Sequence, residues 1–377
     1  MQQQATSRKP SGAAAASEAN SGQSGAKLDH VESRLFTIRD FRLECGRALP
    51  EVTLAYETYG RLAPGGRNAV LLTHGFTSHH HAAGRYAPGK AGRCLEEDEP
   101  GWWDALIGPG RPFDTDRMFC VSSNMLGSCY GSTNPASRNP ETGRPYGPDF
   151  PPVALPDIVR AQRALLDHLG VEHLIAVAGP SYGGYQAFQW AVTFPDFMHG
   201  IVAAVTAPKG SGADRSVRDL MARFTEHPNW NGGWYYDKGG VRDAMVEFRI
   251  ATLKRYGIEQ QLAHDSEERE RVLHALAERW ADAFDANALI ALRKAAAAFD
   301  AERDFARIKA KVLYVLSTTD RLFPASIGPE NVERMRAAGV DVTYFELKSD
   351  KGHLASGADA GNWAPILRDF LHSLPAN

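Results

Sequence analysis

The sequence has no apolar run of membrane-spanning length, which excludes a helical transmembrane protein. Residues 1–30 are rich in Gln, Ser, Ala and Gly without an apolar h-region. They are expected to form a disordered tail rather than a signal peptide. Cysteine is scarce: Cys45, Cys94, Cys120 and Cys129 make neither a C-x-x-C pair nor a zinc pattern. Free thiols in a reducing, cytoplasmic setting are the simplest account. An excess of one charge is also missing, since the net charge is -3 with both signs interspersed. That excludes a basic nucleic-acid face and a polybasic membrane patch, and leaves small molecules as the expected partners. No internal repeat suggests a solenoid.

What is present is the texture of an α/β enzyme, with apolar content sufficient for a large core. Strand-like runs occupy residues 35–38, 52–56, 68–73, 118–122, 174–178, 201–205, 312–316 and 342–346. Amphipathic helices are predicted over 157–169 and 363–374. From 211 to 300 the sequence becomes helical, charged and Ala-rich, without clear strands. The expected organisation is a tail (1–30), a core of mostly parallel sheet (31–210), an inserted helical cap (211–300) and a second part of the core (301–377).

Gly179-Pro180-Ser181-Tyr182-Gly183 follows one of these runs and precedes Ala187, Trp190, Ala191 and Phe194 at helical spacing. A G-x-S-x-G between a strand and a helix is the setting of a nucleophile elbow, with Ser181 exposed on a sharp turn. A serine hydroxyl is a weak nucleophile at neutral pH and needs an imidazole base held by a third group. Asp320 and His353 each follow a late strand, in the order Ser, Asp, His, and are the expected acid and base. Asp350, three residues before His353, competes with Asp320 but suits a solvent-exposed loop better.

His74-Gly75-Phe76-Thr77 leaves an early central strand. The Phe76 and Tyr182 N–H groups are expected to form the oxyanion hole, although a plain strand-ending turn at His74-Gly75 is the alternative. His79, His80 and His81 cannot all point one way on a regular element, so a solvated or pocket-rim loop is expected rather than a metal site. No metal and no cofactor are predicted.

With these residues in place the chain resembles the homoserine O-acetyltransferase family of α/β-hydrolase-fold enzymes. The likeness runs through Gly101-Trp102-Trp103-Asp104, Ser123-Asn124-Met125-Leu126-Gly127, the elbow, Phe284-Asp285-Ala286-Asn287 and Thr319-Asp320-Arg321-Leu322-Phe323-Pro324. It implies an α/β-hydrolase fold and a triad of Ser181, Asp320 and His353. It also implies substrate contacts at Thr77 and Arg255 and a homodimer built through the cap.

Departures fall where acceptor choice is made. Arg255 is matched to one of the family's two carboxylate-holding arginines, whereas the Phe-Gly-Arg stretch that carries the other has no counterpart between Tyr256 and Phe284. Leu354-Ala355 follows His353 where Asp-Ala is common. These changes favour hydrolysis of short-chain, acetyl-type esters, with transfer of acetyl from acetyl-CoA to homoserine as the alternative.

Overall fold

The computed structural model describes residues 28, 31–86, 99–210, 212–262 and 265–375. The tail expected over 1–30 therefore lies, apart from Leu28, outside the described residues. Among those described, eight strands form one sheet in the order β1-β2-β4-β3-β5-β6-β7-β8.

Strands β1 (Arg34–Arg42) and β2 (Ala48–Tyr59) pair antiparallel at one edge. β1 has no buried residue, as suits an outermost strand, whereas most of β2 beyond Val52 is buried. β2 also pairs antiparallel with β4 (Phe119–Ser123), and the remaining pairings are parallel: β4 with β3 (Ala69–Thr73), then β5 (Leu174–Pro180), β6 (Met198–Ala204), β7 (Lys311–Ser317) and β8 (Val342–Leu347). β3 and β4 are buried at every position, because helices and loops cover both faces of a parallel sheet. Such a strand reads as an unbroken apolar run, which is how Val70, Leu71 and Leu72 appear in the sequence.

Helix α1 (Leu155–His168) turns its Ile158, Val159, Leu165 and Leu166 stripe to the core. Its first turn is closed by Asp157, whose carboxylate accepts from the Ala154 N–H at 2.8 Å. Helix α2 (Tyr182–Thr193) follows β5 after a single residue, Ser181. A buried amide chain joins these helices to the end of β3. Trp190 Nε1 donates to Gln162, Gln162 Nε2 to Gln186, and Gln186 Nε2 to the His74 carbonyl. Polar groups at that depth persist only when paired, so this chain fixes α2 against the β3 exit.

Between β6 and β7 the described residues contain four α-helices: α3 (Ala213–Thr225), α4 (Arg242–Tyr256), α5 (Ser266–Ala281) and α6 (Ala286–Ala298). Asp265 and Asp285 cap α5 and α6 by accepting from Glu268 N and Ala288 N, both at 2.8 Å. Gly257, at φ 86°, ends α4 in a left-handed conformation. The core closes with α7 (Gly328–Ala337), α8 (Ala355–Ala358) and α9 (Ala364–Ser373), the last packing Leu367, Phe370 and Leu371 inward.

Candidate active site

Ser181 stands alone between β5 and α2 at φ 55°, ψ -120°, a backbone conformation that side-chain-bearing residues rarely adopt. The turn is held from several sides. Ser181 N donates to the Ala204 carbonyl at 2.8 Å, while its own carbonyl accepts from Thr206 Oγ1 at 2.7 Å and Gly184 N at 2.9 Å.

The flanking glycines are required by close approach to β3. A Cβ on Gly179 would lie 2.2 Å from Thr73 Oγ1, and one on Gly183 would lie 2.1 Å from the Thr73 carbonyl oxygen. Strain of this kind persists only where the surroundings over-determine it, and it lifts the hydroxyl clear of the sheet.

His353 lies in a short helical turn after β8 and is 6% exposed. Its Nε2 is 2.8 Å from Ser181 Oγ, and its Nδ1 is 2.8 Å from Asp320 Oδ2. The Asp320 carboxylate has no exposed surface, and its other oxygen accepts from Leu322 N and Phe323 N. A carboxylate acceptor at Nδ1 requires that nitrogen to carry the proton, which leaves Nε2 to take one from the serine. Asp350 points to solvent and pairs with Lys351 at 2.9 Å, so it has no part in this chain of hydrogen bonds. Tyr256 and Phe323 pack on the imidazole with ring centroids 4.9 and 5.7 Å away.

The turn after β3 runs beside the serine: a Cβ added to Gly75 would lie 3.8 Å from Ser181 Cβ. His74 is fully buried and shapes this turn. Its Nδ1 donates to the Gly75 carbonyl and its Nε2 accepts from Met125 N. Burial pushes its pKa down to about 3, so the ring is neutral at ordinary pH. The Phe76 ring stacks on that of Tyr182 at 5.8 Å. The two residues expected to supply oxyanion N–H groups are thus neighbours beside Ser181.

Two cavities reach Ser181. One, of about 470 Å³, lies under α4 and α5 and carries Thr77, Arg249, Arg279, Trp280 and Leu354 in its wall. Thr77 Oγ1 accepts from Arg249 Nη1 at 2.7 Å, and the guanidinium lies 5.1 Å over the Trp280 ring. Arg249 Nε is buried with no hydrogen-bond partner among the described residues. Burial, with the Arg279 charge adding to it, lowers the Arg249 pKa. Arg279 pairs with Glu99 at 3.4 Å in the same wall.

The second cavity, of about 410 Å³, is lined by Tyr182, Tyr185, Phe323, Arg255 and Arg293. Arg255, the expected carboxylate ligand, is exposed and belongs to this side. Arg249, on the face of α4 that turns inward, is the guanidinium that joins Thr77, and sequence reasoning missed it. The expectation for the histidine run is corrected in part. His79 lines the first cavity, but His80 and His81 are 3% and 1% exposed, drawn in by the carboxylate of Glu57. Among the described residues no group of three or more His, Cys, Asp or Glu side chains could hold a metal ion. No helix there is long and apolar enough to cross a membrane.

Comparison with known proteins agrees with this architecture. The sequence profile of the alpha/beta hydrolase fold matches residues 68–356. The chain is 37% identical over 362 residues to the homoserine O-acetyltransferase of Solidesulfovibrio magneticus, covering 88% of this chain and 89% of that one. Among solved structures, esterase E22 superposes with a TM-score of 0.81 at 29% identity, covering 90% of this chain and 100% of that one. Homoserine O-acetyltransferase from Bacillus anthracis gives 0.79 at 27%, covering 93% and 100%.

Proposed function

The chain belongs to the homoserine O-acetyltransferase-like family of α/β-hydrolase-fold enzymes, and from that premise we propose that it moves an acetyl group from acetyl-CoA, through Ser181, to the hydroxyl of homoserine. In this reading His353 takes the Ser181 proton as Oγ attacks the thioester carbonyl. The tetrahedral oxyanion is held by the Phe76 and Tyr182 N–H groups, the thiol leaves with the proton from His353, and an acetyl-serine remains. His353 then deprotonates the incoming hydroxyl, and collapse of the second tetrahedral intermediate releases the O-acetyl product. Asp320 holds the imidazole in the required tautomer throughout.

The observation that carries this reading is Arg249. It is a guanidinium in the wall of the cavity that reaches Ser181, with a buried Nε that has no hydrogen-bond partner among the described residues. A carboxylate-bearing acceptor would satisfy it with a charge-assisted bond and present its hydroxyl toward Ser181. Glu99, already paired with Arg279 on the same wall, is a carboxylate that the acceptor's ammonium group would share. The sequence alone favoured hydrolysis because the second family arginine stretch is missing, but the relatives and Arg249 now weigh toward transfer.

One observation favours a second reading, hydrolysis of acetyl-type esters. Leu354 stands in the cavity next to His353 where the family commonly has Asp, which removes a carboxylate from the acceptor side. Mass spectrometry of products separates the two. The protein is given acetyl-CoA with homoserine, or 4-nitrophenyl acetate alone. Rapid O-acetylhomoserine formation supports transfer. Acetate release that is unchanged by homoserine supports hydrolysis.

The same reading carries forward the helical segment between β6 and β7 as a cap, a homodimer through that cap, and a cytoplasmic setting.

A further inference from the structure

Glu57, on β2, is a carboxylate with no exposed surface. It accepts from Tyr59 Oη at 2.5 Å, from Tyr86 Oη, and from His81 Nδ1 at 3.0 Å. Tyr59 Oη in turn accepts from Ala82 N and Ala83 N at 2.9 and 3.2 Å. His81 stacks on Tyr86 with centroids 4.3 Å apart, and His80 Nε2 lies 3.8 Å from the same carboxylate. Every one of these donors sits on, or directly anchors, the segment that continues from Gly75-Phe76-Thr77.

That segment is fixed at its start by His74, which accepts from Met125 N, and by Gln186, which holds the His74 carbonyl. Its far end is held by the Glu57 cluster together with the Gly84 N–H, which donates to the Asp104 carboxylate at 2.7 Å, and the Ala82 carbonyl, which accepts from Trp103 N at 2.9 Å. Charge-assisted hydrogen bonds to a buried carboxylate are among the strongest a fold can make, and loss of one partner leaves the others unsatisfied. Burial beside Glu57 also raises the hydroxyl pKa of Tyr59 well above its usual value, so this hydroxyl stays a donor to the carboxylate.

We propose that Glu57 is a positioning residue for acyl transfer at Ser181. Through Tyr59, Tyr86 and His81 it clamps residues 81–83 and thereby sets where the Phe76 N–H meets the developing oxyanion. The proposal rests on the assignment of Ser181 and Phe76 made above. Oxyanion donors act through placement, and a donor displaced by about 1 Å loses up to about a hundredfold in rate.

Two variants test this. Glu57→Gln keeps the volume but turns one acceptor oxygen into a donor. Tyr86→Phe removes a single hydroxyl. Each is measured for kcat and KM with 4-nitrophenyl acetate, for affinity to a small alkylboronic acid that forms a tetrahedral adduct on the serine, and for melting temperature.

The proposal expects kcat to fall about 10- to 100-fold in Glu57→Gln and about 3- to 10-fold in Tyr86→Phe, with KM within twofold. Boronate affinity should weaken in step with kcat. A lower melting temperature with kcat and boronate affinity within twofold of wild type, measured where the variants are folded, would overturn it. If Glu57→Gln does not fold, Tyr86→Phe alone decides by the same criteria. If wild type forms no boronate adduct, the Ser181 assignment falls together with this proposal. An adduct that wild type and variants hold equally well removes only the role of Glu57.

Discussion

Asp320 and Asp350 are separated at the level of single residues by what their carboxylates touch. Asp320 is buried against His353 and two backbone N–H groups, whereas Asp350 meets a lysine at the surface. Asp320→Asn should lower kcat on 4-nitrophenyl acetate by about 10³- to 10⁴-fold, because the amide favours the wrong imidazole tautomer. Asp350→Asn should stay within about twofold, and equal losses in the two variants would reject the assignment. Arg249→Met should raise KM for homoserine by about 10- to 100-fold while leaving KM for 4-nitrophenyl acetate within about threefold, since only the former carries a carboxylate. Steady-state assays with both substrates check this. That Ser181, Asp320 and His353 would meet was legible in the sequence, because each sits in a local motif at a strand end; their catalytic roles belong to the proposed function. Arg249 was not. It and Arg255 lie six residues apart on α4, which is about 240° around the helix, and nothing in the sequence says which face meets the nucleophile.

At the scale of elements, the elbow is a packing solution as much as a turn. β5 and α2 run so close to Thr73 that Gly179 and Gly183 have no room for a methyl group. Gly183→Ala should cost about 3 kcal/mol or abolish folding, because the obstructing atom is a backbone carbonyl in a central strand. Gly65→Ala, where a Cβ meets no described residue within 4 Å, should stay within about 0.5 kcal/mol. Chemical denaturation of both variants checks the contrast. The elbow's position was readable from a strand-like run, the glycines and a helical repeat. The burial of His80 and His81 was not, because it depends on Glu57, more than twenty residues earlier on another strand. Register and partner are properties of the folded sheet, which a loop sequence does not carry.

For the molecule as a whole, the buried neutral histidines couple stability to pH. His74 is held down to about 3 and His173 to about 4, both chiefly by burial. Their folded-state values lie below the unfolded value of about 6.5, so the unfolded chain binds more protons as pH falls through that window. The stability these two histidines contribute is therefore fully present above about pH 6.5 and declines toward pH 3, by about 1.4 kcal/mol per pH unit for His74 alone. Urea unfolding at several pH values should show this slope, and His74→Gln should make it shallower by about one proton. The eight strands and the helical stretch after β6 were each visible as local patterns. Their order in the sheet was not, because it follows from crossovers that no single run encodes.

The central claim is that Ser181 carries the acetyl group between two substrates. Intact-mass analysis after rapid mixing with acetyl-CoA tests it most directly, followed by peptide mapping and a chase with homoserine. The account predicts one acetyl group on Ser181 that is discharged by homoserine as O-acetylhomoserine. An acetyl group that never appears on Ser181, or that leaves only as acetate at a rate indifferent to homoserine, would contradict it.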